Sequence, residues 1–376
     1  MAATGDDPRL LPLLADLTRA AVGGAGDELL FARMCEAVLA SGVPLARSAL
    51  QMENLHPVYY GYCLHWQAGG PGRVLERSRA FGASEEFRQS PYMASLPSGS
   101  WHWRWEDGTP GLPLVRELAG SGVTDFMAEI IGAEGTLPPG VTWATRAAGG
   151  FRAEDAAFLR RLGPLLVPVF GWRAEHRKLD AVLRTYLGAA PGREVLNGQI
   201  RRGDVRQLEA IVLLTDLRGF TALSAAVPER ELLRALDGYF EAVADAVYAG
   251  GGEVLKFIGD GVLAVFPVDG ARAAVAAARR ALAAQDGRIT AVLTSGPVSY
   301  GNIGARERLD FTVIGPAVNL ASRIEAVAKG LDEPIVATSA VATAAGEAGR
   351  PLGSHEIRGV VAPVDLIGLQ PRLLRG

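Results

Sequence analysis

From Leu208 onward the hydrophobic pattern changes period in a fixed order, and that order restricts the fold more than any other feature of the chain. Ala210–Leu214 is a β-branched and apolar run, the mark of a buried strand. In Pro228–Ala249, Leu232, Leu233, Leu236, Tyr239, Phe240 and Val243 recur at helical spacing. Val254–Phe266 is a hairpin candidate, because apolar residues flank Gly259-Asp260-Gly261 and Asp-Gly favours a tight turn. Ala271–Ala284 is Ala-rich and helical, and Ile289–Leu293 and Phe311–Ile314 are further strands. Pro316–Lys329 is a helix with proline near its first turn. The order β-α-β-β-α-β predicts a ferredoxin-like α+β sheet within residues 207–370.

The preceding residues follow other rules. Residues 10–172 read as mixed helix and strand, and 173–206 as a helical linker broken by Gly188, Pro191 and Gly192. Helical periodicity covers Glu28–Ala40, Ala153–Leu166 and Glu175–Leu187. Ser48–Trp66 is strand-like. Ser100–Glu106 alternates, with Trp101, Trp103 and Trp105 on one face and His102 and Arg104 on the other. That tryptophan stripe is expected to be core or interface. His56, Cys63 and His65 invite a metal or haem reading, but packed, hydrogen-bonded residues are the expectation here.

The 376 residues include 49% hydrophobic ones, enough to bury a sizeable core. The net charge of −3 argues against a general nucleic-acid binder. Two cysteines, Cys35 and Cys63, do not make a disulfide framework, and a reducing cytoplasm is expected. Met1–Leu10 lacks a basic segment followed by an apolar core, so no secretory signal is expected. No apolar run reaches the roughly 18 residues of a membrane span.

Two carboxylates carry the chemistry. Asp216 ends the apolar strand, and a Gly-containing turn follows it into a helix. Such turns present backbone N–H groups to phosphate. Asp260 is at the hairpin tip, and in a ferredoxin-like sheet the first strand lies beside that hairpin. Two carboxylates that close repel unless cations lie between them. A two-metal site is expected, with Mg²⁺ or Mn²⁺ held by Asp216 and Asp260.

Three segments together, TDLRGFT (Thr215–Thr221), GGEVLKFIGDGVLAVF (Gly251–Phe266) and RLDFTVIGPAVNLASRIE (Arg308–Glu325), resemble the class III adenylyl cyclase catalytic domain, over about residues 205–370. The resemblance implies that palm-type α+β fold and conversion of ATP to 3′,5′-cyclic AMP and pyrophosphate. It implies two metal ions per site on Asp216 and Asp260, and purine recognition by Lys256 and Thr312. The Lys/Thr combination is similar to subclass IIIb. It also implies triphosphate contacts from the turn of Leu217, Gly219, Phe220 and Thr221, and transition-state roles for Asn319 and Arg323. Arg358 stands where the family usually has a triphosphate-binding lysine. In the family Asn319 and Arg323 come from the partner chain, so a homodimer with shared sites is implied. A second departure is the short segment Gln285–Arg288, where relatives are longer.

The residue chemistry agrees with these implied roles. Adenine N1 is an acceptor, which suits the Lys256 ammonium, and the Thr312 hydroxyl can accept from N6. Asn319 and Arg323 are four apart and share a helix face. Residues 10–172 resemble a GAF-type sensor through GVPLARSALQMENLHP (Gly42–Pro57) and TWATRAAGGFRAEDAAFLRRL (Thr142–Leu162), which implies regulation by a small-molecule ligand. The alternatives are a cyclase acting on GTP or another nucleotide, a non-catalytic nucleotide-binding module, and a half-enzyme that needs a different partner.

Overall fold

The computed structural model describes residues 7–132, 137–331 and 333–369, so Gln370, the last residue of the expected catalytic segment, and Met1–Asp6 lie outside the described residues. The chain divides into two compact units, Met1–Thr185 and Tyr186–Gly376. Among the described residues no helix is long and apolar enough to cross a membrane.

The first unit is built on six antiparallel strands: β1 (Arg47–Glu53), β2 (Tyr59–Gln67), β3 (Arg73–Ser78), β4 (Ser100–Arg104), β5 (Asp125–Ile130) and β6 (Gly140–Thr145). Their order in the sheet is β3-β2-β1-β6-β5-β4. Its helices are α1 (Leu10–Val22), α2 (Asp27–Ala40), α3 (Arg79–Gly82), α4 (Glu85–Arg88), α5 (Pro91–Ser95), α6 (Pro113–Gly120), α7 (Ala153–Leu166) and α8 (Trp172–Leu187). Strand alternation sorts the two faces. Leu50, Leu64, Trp66 and Trp143 face α1, α2 and α7 and pack with Phe31 and Phe158. On the other face α6 packs on Trp103 and Phe126, while Tyr60, Phe87 and Tyr92 form a separate cluster with α3–α5.

The tryptophan stripe is shorter than its alternation suggests. Trp101 and Trp103 join the α6 cluster, but the strand ends at Arg104 and Trp105–Asp107 curls into a 3₁₀ turn. The Asp107 carboxylate accepts from Arg104 N at 2.8 Å, which diverts the backbone and leaves Trp105 exposed. On the opposite face His102 and Arg104 meet the buried Asp125 at 2.7 and 3.3 Å. Ser48–Trp66 is two strands, β1 and β2. Between them His56 Nδ1 accepts from Val58 N at 3.1 Å.

The second unit has β7 (Val205–Leu217), β8 (Glu253–Ile258), β9 (Gly261–Pro267), β10 (Ile289–Gly304), β11 (Leu309–Ile314), β12 (Ile335–Thr338), β13 (Arg350–His355) and β14 (Val364–Gly368). Its helices are α9 (Ala189–Leu196), α10 (Phe220–Ala226), α11 (Glu229–Ala249), α12 (Ala271–Ala284), α13 (Pro316–Ala328) and α14 (Ser339–Ala345). The sheet order is β13-β14-β12-β10-β7-β9-β8, with β11 pairing the far half of β10. Within it, β7-α11-β8-β9-α12-β10 gives the strand order β10-β7-β9-β8, the ferredoxin-like arrangement expected from the periodicities.

Central strand β7 is covered on both faces. Ile211 and Leu213 pack towards α11 and α12, while Ala210, Val212 and Leu214 pack towards α13. Gln285–Arg288 is a tight reversal in which Asp286 has φ 50° and Gly287 φ 78°. It delivers Ile289 directly opposite Leu217.

Candidate active site

The β7 register sets the site. Asp216 pairs with Gly261, the first residue of β9, so Asp260 in the β8–β9 turn is the next residue along from its partner. Gly259, at φ 63°, allows the turn that carries Asp260 there. The two carboxylates are close enough to act on each other. Burial, and then the charge of Asp216, push the Asp260 carboxyl above its ordinary value. Repulsion between two like charges held together in this way is relieved by a cation between them or by a shared proton.

One cation of the chain itself is already there. Asp216 shares strand parity with Val212 and Leu214 and therefore faces α13. Lys329, just past the end of that helix, reaches Asp216 Oδ2 at 2.8 Å and Glu325 at 2.7 Å. These two carboxylates hold the Lys329 ammonium above its ordinary range. A cavity of about 380 Å³ opens at this point, lined by Asp216, Asp260, Lys329, Thr290 and the turn Leu217–Thr221. The turn enters α10 through Gly219, in left-handed backbone at φ 77°.

The residues fit a hard divalent cation. The donor set is two carboxylates, and among the described residues no group of three or more His, Cys, Asp or Glu side chains converges. Mg²⁺ is commonly bound by one or two carboxylates, with substrate phosphates and water completing the octahedron.

Six of the residues expected at the site therefore meet around one cavity: Asp216, Leu217, Gly219, Phe220, Thr221 and Asp260. Lys256 and Thr312 form a second group. Lys256 Nζ donates to Asp310 Oδ2 at 2.5 Å. Asp310 and Thr312 lie two apart on β11 and so share a strand face. The Asp310 carboxyl is held below its ordinary value by Lys256. A third group comprises Asn319 and Arg323, both exposed on α13, and Arg358 in the β13–β14 loop. Arg323 Nη1 donates to the Arg358 backbone oxygen.

The three groups do not converge within one chain. The cavity at Asp216 and Asp260 is not lined by Lys256, Thr312, Asn319, Arg323 or Arg358. Helix geometry gives a reason for Asn319. Lys329 is at Asp216, and at about 1.5 Å per residue Asn319 is about 15 Å further along the axis.

Sequence reading missed Lys329, Asp310, Thr290 and Arg218. Arg218 Nε donates to Thr290 Oγ1 at 3.0 Å on the cavity wall. Asp310 carried a usable signal, since a carboxylate two residues before Thr312 must share its face. Lys329 carried only its four-residue spacing from Glu325.

No family model matches the sequence. The chain is 30% identical over 179 residues to Adenylate cyclase 1 of Rhizobium meliloti, covering 42% of this chain and 27% of that protein. It is 33% identical over 147 residues to an adenylate cyclase of Anabaena cylindrica, covering 35% of this chain and 29% of that protein. The chain thus matches less than a third of the length of either relative. Among solved structures, a bacterial light-regulated adenylyl cyclase aligns at 25% identity and TM-score 0.46, covering 56% of this chain and 64% of that one. The guanylyl cyclase Cya2 aligns at 28% identity and TM-score 0.38, covering 45% of this chain and 97% of that one. Over less than half of its length, then, this chain is similar in sequence to adenylate cyclases.

Proposed function

We propose that this protein is an adenylyl cyclase that converts ATP to 3′,5′-cyclic AMP and pyrophosphate at sites shared between two copies of the chain. The observation that carries the proposal is the pairing of Asp216 with Gly261, which brings two carboxylates together beside a glycine turn and an open cavity. Asp216 and Asp260 are the residues that would hold two Mg²⁺ or Mn²⁺ ions. Bound there, the ions supply Lewis acidity towards the 3′-hydroxyl and neutralise charge on the triphosphate.

In the reaction the ribose 3′-oxygen gives up its proton to solvent water and bonds to the α-phosphorus. The bond from the α-phosphorus to the bridging oxygen breaks, and pyrophosphate leaves. Within Leu217–Thr221, where Arg218 N already donates to Arg288 O at 2.8 Å, the residues Gly219, Phe220 and Thr221 at the start of α10 offer backbone N–H groups to the phosphates. Lys256 donates to adenine N1, while Thr312 and Asp310 offer acceptors to the N6 amino group. Arg323 stabilises charge on the transferring phosphoryl group through its planar fork, and Asn319 orients the ribose. Arg358 adds positive charge for the triphosphate.

A second copy supplies Lys256, Thr312, Asn319, Arg323 and Arg358 to each metal site. Two observations support this. Asn319 is displaced along α13 from the lysine that touches Asp216. The strands bearing Lys256 and Thr312 also expose Phe257, Ile258 and Ile314, each at least half accessible, an apolar surface that a second copy would cover.

The first unit is proposed to be a GAF-like sensory domain that regulates turnover. The strand order β3-β2-β1-β6-β5-β4, with helices on both faces, supports that reading. Incubating the purified chain with ATP and Mn²⁺, and separating the products by chromatography, tests the assignment. Cyclic AMP with equimolar pyrophosphate is expected; hydrolysis to ADP or AMP alone rules it out.

A further inference from the structure

The first unit has a partly open cavity of about 170 Å³ on the sheet face opposite α1, α2 and α7. Strand alternation sends Arg47, Ala49 and Gln51 of β1, Cys63 and His65 of β2, and Phe126 and Ala128 of β5 to that face. Helices α3–α5 roof it with Phe81, Phe87 and Tyr92. The cavity shares no residue with the two-carboxylate site, and its binding chemistry is independent of the cyclase reading.

Its polar groups are incompletely matched. Arg47 and Arg77 both line it, and among the described residues neither makes an ion pair. Glu117 is the acid that acts on Arg47, and Arg77 lies over the Phe81 ring at 4.8 Å with the neutral thiol of Cys63 beside it. Tyr60 is 7% exposed, and its hydroxyl has no hydrogen-bond partner; neither does His65 Nε2. Burial and the neighbouring arginines drive His65 down to about 4, so it adds no charge near neutral pH. Two acids also contribute to the lining. Glu129 accepts from Trp143 Nε1 at 3.2 Å on the other face of the sheet, and Glu86 is exposed on α4.

Two guanidinium groups and an orphan hydroxyl beside aromatic walls call for an anion with an apolar body. Arginine forks match planar carboxylates. An engineered apolar cavity of about 150 Å³ holds one benzene ring. We propose that this cavity binds a small aromatic carboxylate of one ring. The ring lies among Phe81, Phe87 and Phe126, and the carboxylate accepts from Arg47, Arg77 and the Tyr60 hydroxyl.

The test uses the full chain and isothermal calorimetry with benzoate and phenylacetate as probes, and with benzamide, acetate and inorganic phosphate as controls. At least one aromatic carboxylate is expected to bind saturably with Kd below about 1 mM. Benzamide and the two small anions are expected to bind at least about tenfold more weakly. Arg47→Gln and Arg77→Gln should each weaken binding by about ten- to a hundredfold. Tyr60→Phe should also weaken binding while leaving the melting temperature of the ligand-free chain unchanged or higher, because it removes an unpartnered buried hydroxyl. The proposal is overturned by failure of both probes to saturate, by equal binding of benzamide or phosphate, or by unchanged affinity in folded arginine variants.

Discussion

At the scale of single residues, the site depends on how charge is balanced around Asp216 and Asp260. Asp260→Ala removes one of two carboxylates and is expected to lower kcat by at least about 10²-fold, read as cyclic AMP formed with Mn²⁺. In the free chain the Lys329 ammonium pairs with Asp216 and occupies one side of the place a metal ion would take. Lys329→Ala should therefore tighten Mn²⁺ binding to the nucleotide-free chain, measured by calorimetry; weaker binding would make Lys329 a helper of the metal rather than its competitor. The ion pair of Lys256 with Asp310 alters how a specificity switch must be designed. Lys256→Glu with Thr312→Cys would set a new carboxylate against Asp310, so Asp310→Asn should accompany them. The triple variant is expected to raise the GTP-to-ATP ratio of kcat/KM by about tenfold or more, at about 1–3 kcal/mol per base contact. The two aspartates were legible from sequence because each sits at the end of a recognisable element. Lys329 and Thr290 were not, because the packing of α13 on β7 and the β10 register bring them in.

At the scale of elements, periodicity was a good guide wherever one pattern ran uninterrupted. Ala271–Ala284 and Ala153–Leu166 have the bounds that their sequences suggested. Strands were longer than their apolar runs. β7 begins at Val205 and β10 continues to Gly304, because their pairing as far as Gly301, and the pairing of β10 with β11 beyond it, satisfy backbone groups through polar stretches as well. The short helices α3, α4 and α5 escaped notice because single turns have no period to read, although Ser78, Ser84 and Ser90 each cap one. Elements also hold the site. Tyr239 on α11 is fully buried, and its hydroxyl is 2.7 Å from Thr215 Oγ1, one residue before Asp216. Tyr239→Phe leaves the buried Thr215 hydroxyl without that partner and should cost about 1–3 kcal/mol in urea unfolding. An unchanged midpoint would show that Thr215 finds another partner.

At the scale of the whole molecule, the arrangement of α13 makes a prediction about assembly. If each site joins Asp216 and Asp260 of one copy to Asn319 and Arg323 of another, Asp260→Ala and Arg323→Ala are each inactive alone but complementary. Random pairing of equal amounts makes half of the dimers mixed, each with one intact site, so co-expression should restore roughly a quarter of wild-type activity. Absence of any recovery would place all catalytic groups in one chain. The change of pattern placed a linker at residues 173–206, and the boundary between the two units at Thr185 and Tyr186 falls inside it; the proposed sharing of sites between copies has no local pattern, since it rests on residues far apart in the sequence. The most direct measurement is a product assay of the purified chain with ATP and with GTP, each with Mg²⁺ and with Mn²⁺. Cyclic AMP and pyrophosphate in equal amounts, with ATP the preferred substrate and Asp260→Ala inactive, is the expected result. No cyclic nucleotide from either substrate with either metal, or full activity in Asp260→Ala, would contradict the assignment.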